Sequence, residues 1–205
     1  PSPPASACAG AALPTPTVLS TAQPAHPTRA RALLLAAGRG ERFIASGGNT
    51  HKLEAMLVGK TVLDHVLDAV KSSGLPLHVV RPDASRPGMG DSIAAGVRAT
   101  SDAAGWLVLP GDLPLIQAQT LLEVARALHS HAVVVPVCEG QRGHPVGFNA
   151  ACGPELQKLQ GSKGAAAVMA MHQPMELTIT DVGAITDIDT VDDLLDDTRA
   201  TDCQL

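Results

Sequence analysis

In Arg31-Ala32-Leu33-Leu34-Leu35-Ala36-Ala37-Gly38-Arg39-Gly40-Glu41-Arg42-Phe43 a short apolar run stops abruptly at two glycines. A run of that length, bounded by glycine, reads as a strand buried on both faces. The chain then alternates. Residues 61–73 place Val62, Leu63, Val66, Leu67 and Val70 at helical spacing, with Gly74 as the C-cap. Residues 77–80 are strand-like, 91–100 helical, 106–109 a buried strand, 117–129 an amphipathic helix and 132–137 a β-branched strand. Short helices over 154–159 and 163–171, a strand over 176–180 and a last helix over 190–197 complete the series. Strands with near-continuous apolar character, separated by helices, imply a mostly parallel sheet covered on both faces. The expected fold is a three-layer α/β/α Rossmann-like domain over residues 30–198. Ligands in such folds sit beyond the carboxyl ends of the strands, here the loops after Ala36, Leu109 and Val137.

Composition separates this domain from its flanks. Residues 1–29 hold seven of the sixteen prolines in the 205-residue chain, and Arg29 is their only formal charge. Such a segment cannot bury enough apolar area to offset chain entropy, and is read as a disordered tail. It lacks the basic start and apolar core of a signal peptide. Residues 199–205 form a short C-terminal tail. One Trp, two Phe and no Tyr leave the core to aliphatic side chains. A net charge of −5 argues against nucleic acid and acidic membranes as partners. No apolar run approaches the ~20 residues that span a bilayer. Cys8, Cys138, Cys152 and Cys203 form no C-x-x-C pair, so neither a zinc site nor a disulfide framework is implied, which fits the cytoplasm.

The glycine loop admits several readings. A dinucleotide fingerprint needs a third glycine where Phe43 stands, and a Walker A loop needs a G-K-[ST] closing the glycine loop, which this loop lacks. A third reading wraps a triphosphate with the backbone N–H groups around Gly38 and Gly40, while Arg42 and Lys52 add positive charge. An ordinary strand-to-helix turn remains the alternative. The acids are also open. Asp112 ends a buried strand between Pro110 and Pro114 and points into the ligand crevice, unless it only bonds its own turn. Asp187 and Asp189 lie on one side of an extended segment, so either can reach a shared ion. Thr190 and Asp193 have the spacing of a helix capping box.

Several segments together resemble the nucleotidyltransferases that attach CMP or GMP to molybdopterin. They are L-A-A-G-x-G-x-R from Leu35 followed by Lys52-Leu53, Gly88-Met89-Gly90-Asp91-Ser92, Gly111-Asp112-Leu113-Pro114, Arg142-Gly143-His144-Pro145, Gly161-Ser162-Lys163-Gly164 and Asp187-Ile188-Asp189-Thr190. They occur in the family's order over residues 31–195. The resemblance implies a nucleotide site formed by Leu35, Ala36, Ala37, Gly38, Gly40, Arg42, Lys52, Gly90, Ser92 and Asp112. It implies catalytic roles for Arg42, Lys52 and Asp112, and Mg²⁺ on Asp112 with Asp187 or Asp189. Arg142, His144 and Lys163 would face a molybdopterin-type acceptor, although His144 also suits a structural role and Lys163 a solvated one. Ala37, where guanylyl enzymes tend to carry Gly, implies CTP rather than GTP. The implied partner is a molybdenum hydroxylase of the xanthine dehydrogenase type. Departures are a longer, Gly-rich segment 43–51, read as a mobile cover over the nucleotide, and Ser162, Ala166 and Val191 in place of the family's Asp, Arg and Pro. They keep open a different donor or acceptor, or a non-catalytic chaperone that carries the finished cofactor.

Overall fold

The structure is a computed structural model that describes residues 30–38, 40–85 and 88–195; the segments read as tails, 1–29 and 199–205, lie outside the described residues. Strand β1 (Arg31–Leu35) leads through the glycine loop to a five-residue helix, α1 (Glu41–Ala45). A 3-10 turn (Lys52–Glu54) and a small hairpin, β2 (Met56–Leu57) and β3 (Lys60–Thr61), follow. Helix α2 (Val62–Ser73) starts at Thr61, whose hydroxyl accepts from the Asp64 N–H, and stops at Gly74 with φ 66°. Gly74 supplies the left-handed turn that closes a helix at little steric cost. Then come β4 (Leu77–Val80), α3 (Met89–Ala99), β5 (Gly105–Pro110), α4 (Ala118–Ala127) and β6 (Val133–Cys138). The chain continues through β7 (Gln141–Arg142), β8 (Val146–Asn149), α5 (Gly153–Leu156), α6 (Ala166–Met171) and β9 (Met175–Thr178). Residues 191–195 are helical.

The sheet runs β4-β1-β5-β8-β6, with β7 and β9 both paired to β6. β4, β1, β5, β6 and β9 share one direction, and β8 runs against its neighbours β5 and β6. Alternation along the strands builds the two outer layers. Ala32, Leu34, Leu107 and Leu109 face one side, where Val66 and Val70 of α2 and Leu121 and Val124 of α4 pack on them. Leu33, Trp106 and Val108 face the other, against Ile93 and Val97 of α3, Leu156 of α5 and Val168 of α6. The expected three-layer fold with a mostly parallel sheet is thus the observed one. Among the described residues no helix is long and apolar enough to cross a membrane.

Two features differ from the sequence reading. The first is β8, a buried strand where none was expected. A Cβ on its Gly147 would sit 2.7 Å from Val124 Cγ1 of α4. The glycine therefore allows close helix packing inside a strand. The return from β6 is also irregular. Val133 and Val134 pair with Phe148 and Gly147, while Val137 and Cys138 pair with Arg142 and Gln141. Four residues, 143–146, thus oppose two on β6; the Gly143 N–H still donates to the Pro136 carbonyl (2.8 Å), while the His144 N–H turns away to Ala184.

The second difference concerns the segment 43–51. Phe43 is buried with Leu53, Leu57, Val62 and Ile188 in a third apolar cluster. The Ser46 hydroxyl donates to the Phe43 carbonyl (2.9 Å) and accepts from the Val191 N–H (3.0 Å). Gly48 lies so close that a Cβ would fall 2.4 Å from the Phe43 ring. The segment expected to form a cover is thus held at its N-terminal end, where Phe43 is a core residue and Ser46 bonds to Val191.

Candidate active site

A cavity of ≈ 210 Å³ opens beyond the carboxyl ends of β1 and β5. Leu35, Ala37 and Gly38 contribute from the first strand and its loop, and Pro110, Gly111 and Asp112 from the end of β5. Gly88, Met89 and Ser92 come from the start of α3, and Lys52 and Leu53 from the 3-10 turn. A hydrogen bond from Gly111 N–H to the Leu35 carbonyl (3.0 Å) holds the two strand ends together. Ala36 and Gly90 are buried in the wall rather than on the lining. Gly40 and Arg42 belong to an adjoining open pocket of ≈ 360 Å³ that shares Lys52 and also contains Asp189. The expected nucleotide-site residues therefore lie in or behind two contiguous depressions.

Where the depressions meet, Asp112, Asp187 and Asp189 each present a carboxylate oxygen, all within 4.8 Å of one another. The arrangement follows from local structure. Ile188 is fully buried in the third apolar cluster, and its N–H donates to the Asp112 carbonyl at 2.9 Å. Alternation then turns both flanking aspartates back toward Asp112. Lys52 Nζ is 2.6 Å from Asp112 Oδ2 and 3.0 Å from Asp189 Oδ1. Arg42 forms an ion pair with Asp189 Oδ2. Asp112 Oδ1 is buried and has no hydrogen-bond partner. Among the described residues, three carboxylates thus share two cations.

That imbalance appears in the protonation equilibria. Burial works against the Lys52 ammonium, but its bonds to Asp112 and Asp189 outweigh this and raise its pKa. Asp187 is raised from its ordinary value by partial burial and then by Asp189 and Asp112, with a backbone hydrogen bond and Lys52 opposing. Asp193 behaves differently. Burial raises it, but hydrogen bonds from Thr190 and from the Asp189 N–H bring it below the ordinary value. Its Oδ2 accepts from Asp189 N (3.0 Å), Thr190 N (2.7 Å) and Thr190 Oγ1 (2.8 Å), as the capping-box spacing implies.

The residues expected on the acceptor side are dispersed. His144 faces the cluster: burial lowers its pKa while Asp112 and Asp187 oppose that, and Nδ1 is buried without a partner. Its N–H donates to the Ala184 carbonyl at 2.8 Å, which fixes the excursion beside β5. Arg142 is exposed, and its guanidinium is bound to Glu176 of β9 through Nε (3.0 Å) and Nη2 (2.7 Å). Lys163 is exposed on the turn before α6. The sequence reading overlooked His51. Its Nδ1 accepts from the Leu53 N–H (3.3 Å), so Nε2 carries the proton and donates to the Gly38 carbonyl (2.7 Å). The imidazole thereby ties the glycine loop to the turn that carries Lys52.

The family model described as the MobA-like NTP transferase domain matches residues 32–176. The chain belongs to this family. No curated protein matches the sequence. The MobA-like fold is similar to that of Rv0371c from Mycobacterium tuberculosis H37Rv, at 23% identity over 84% of this chain and 98% of that one, with TM-score 0.70. The molybdopterin-guanine dinucleotide biosynthesis protein A of Archaeoglobus fulgidus is 17% identical over 84% and 98%, with TM-score 0.63. The 4-diphosphocytidyl-2C-methyl-D-erythritol synthase of Anaerococcus prevotii DSM 20548 is 14% identical over 86% and 99%, with TM-score 0.64. At these identities the likeness concerns the fold.

The crowded carboxylates of this MobA-like site have a measurable consequence. A carboxyl whose pKa is raised by folding destabilises the ionised native state. Its cost is absent below the unfolded-state range and complete above the raised value. Asp187→Asn removes that repulsion, so without divalent ions the variant melts above the wild type at neutral pH. The gap closes as pH falls through the carboxylate range. Thermal melts across pH test this, and a variant that melts lower at neutral pH would contradict it.

Proposed function

We propose that the chain transfers CMP from CTP to a molybdopterin-type acceptor carrying molybdenum, with release of pyrophosphate and with Mg²⁺ as the metal, in the cytoplasm. The observation that carries this reading is the convergence of Asp112, Asp187 and Asp189 on the junction of the two depressions formed by the glycine loop. The donor set fits a hard divalent cation: oxygen ligands only, surplus negative charge, and one buried oxygen, Asp112 Oδ1, without a partner. A solved complex of Rv0371c with manganese, 21% identical to this chain over 84% of it and 100% of that one, with TM-score 0.66, adds support for a divalent ion. Held by these three residues, the ion would neutralise phosphate charge and favour in-line displacement.

The remaining steps belong to side chains and backbone. The N–H groups of the loop through Gly38 and Gly40 face the triphosphate. A phosphate oxygen of the acceptor forms a bond to the α-phosphorus, and the bond from the α-phosphorus to the α,β-bridging oxygen breaks, that oxygen leaving with the electron pair as part of pyrophosphate. Lys52 and Arg42 exchange their carboxylate partners for the departing pyrophosphate. No protein nucleophile is required. Leu35, Ala37 and Met89 offer apolar surface to the nucleoside, and His144 presents a largely neutral imidazole toward the acceptor. Arg142 and Lys163 serve this role only if Arg142 leaves Glu176 and the turn at 161–164 closes on the acceptor.

Ala37 is the residue that favours CTP. The similar structures include one protein named for a guanine dinucleotide and one for a diphosphocytidyl product, so the donor has to be measured. The finished cofactor would pass to a molybdenum hydroxylase of the xanthine dehydrogenase type. The test is pyrophosphate release from CTP and from GTP, with Mg²⁺ and molybdenum-loaded molybdopterin. Release with CTP is expected. Release with GTP alone would assign the other base, and tight cofactor binding without release from either would identify a chaperone.

A further inference from the structure

We infer that Asp91 is a positioning residue that fastens the nucleotide pocket to the turn carrying Lys163. The inference rests on reading the cavity beyond the ends of β1 and β5 as the nucleotide site. Asp91 lies in the first turn of α3, between the cavity-lining Met89 and Ser92. Its Oδ2 accepts from the Gly88 N–H at 3.1 Å, one half of a capping box, since Gly88 has no side chain to complete it. The same oxygen also accepts from the Gly161 N–H at 3.1 Å, 70 positions along the chain.

The two segments touch through their backbones. The Gly90 N–H donates to the Gly161 carbonyl at 2.8 Å. A Cβ on Gly88 would fall 2.2 Å from that carbonyl oxygen, and one on Gly90 3.0 Å from the Gln160 oxygen. Met89 closes the far end, since a Cβ on Gly164 would lie 2.9 Å from its sulfur. One carboxylate thus joins the pocket wall to the turn at 161–164. Hydrogen bonds to an ionised acceptor are the stronger kind, and removing the carboxylate takes the partner from the half-buried Gly88 N–H and the inter-segment bond from the exposed Gly161 N–H. Without the fastening, Gly88 and Met89 lose their fixed position against the nucleoside, while the carboxylate cluster at Asp112 is untouched.

The test compares wild type, Asp91→Ala and Asp91→Asn by amide hydrogen exchange and by direct binding of CTP and GTP with Mg²⁺. For Asp91→Ala, exchange at 88–92 and 160–164 should quicken together, and the dissociation constant of the preferred nucleotide should rise about tenfold. Asp91→Asn keeps an oxygen acceptor at the same reach and should recover most of both. Unchanged protection at 160–164 in Asp91→Ala would overturn the fastening. Faster exchange with unchanged nucleotide affinity would overturn the positioning role. A wild type that binds neither nucleotide would reject the reading of the cleft and the positioning role with it, while the exchange data would still report separately on the fastening.

Discussion

Asp112→Asn is expected to lower kcat for pyrophosphate release by about 10³-fold, the scale on which transition-state charge stabilisation is lost when one organised group is removed. The substitution keeps shape and removes charge. The Asp112 carbonyl still accepts from Ile188, so the segment bearing Asp187 and Asp189 keeps its place. What goes is the carboxylate charge at Oδ1, the buried oxygen of the acidic cluster without a hydrogen-bond partner, together with half of the charge that faces Lys52. The variant should therefore fold, melt within a few degrees of the wild type and still bind nucleotide, while its stabilisation by Mg²⁺ or Mn²⁺ disappears. Kinetics with thermal melts, with and without the ion, separate these effects. Retention of more than a tenth of wild-type kcat would remove Asp112 from the metal-binding role.

The parts of the molecule visible in sequence are those whose signal is local. Helix α2 carries its apolar stripe, its Thr61 cap and its Gly74 stop within fourteen residues. The acidic cluster was half visible: alternation put Asp187 and Asp189 on one side, and the burial of Ile188 explains why both, rather than one, reach Asp112. Features that depend on distant packing were hidden. The strand through Gly147 has no local signal, since its glycine is explained only by the helix α4 lying against it. Phe43 looks like part of a loose loop until Ile188 and Val62 supply its pocket. Arg142 reads as a free guanidinium because Glu176, its partner, lies 34 residues away. Asp91 reads as a helix cap, which it is, yet its second bond to Gly161 has no local trace.

Lys52→Met separates two roles that charge alone runs together. In the structure the ammonium lies between Asp112 and Asp189 with only 12% of its side chain exposed, near the position a dication would occupy. It is therefore a partner of the departing pyrophosphate in the reaction and a competitor for the carboxylates before it. Removing it should lower kcat by about 10²–10³-fold, as for other groups that meet charge developing in the transition state. The affinity of the nucleotide-free protein for Mn²⁺ should move the other way. Unit charges 4 Å apart interact by about 4 kcal/mol at an effective dielectric of 20, and solvent and rearrangement reduce what is recovered. A gain of about tenfold in Mn²⁺ affinity, some 1.4 kcal/mol, is a reasonable share of that energy. Arg42 cannot replace the lost charge, because its side chain is 79% exposed and it pairs with Asp189 at the edge of the cluster. Titration of Mn²⁺ into both proteins at one pH, beside single-turnover rates, tests both directions. Weaker Mn²⁺ binding in Lys52→Met would mean that the lysine organises the carboxylates rather than competing for them. Unchanged turnover would mean that pyrophosphate leaves without its help.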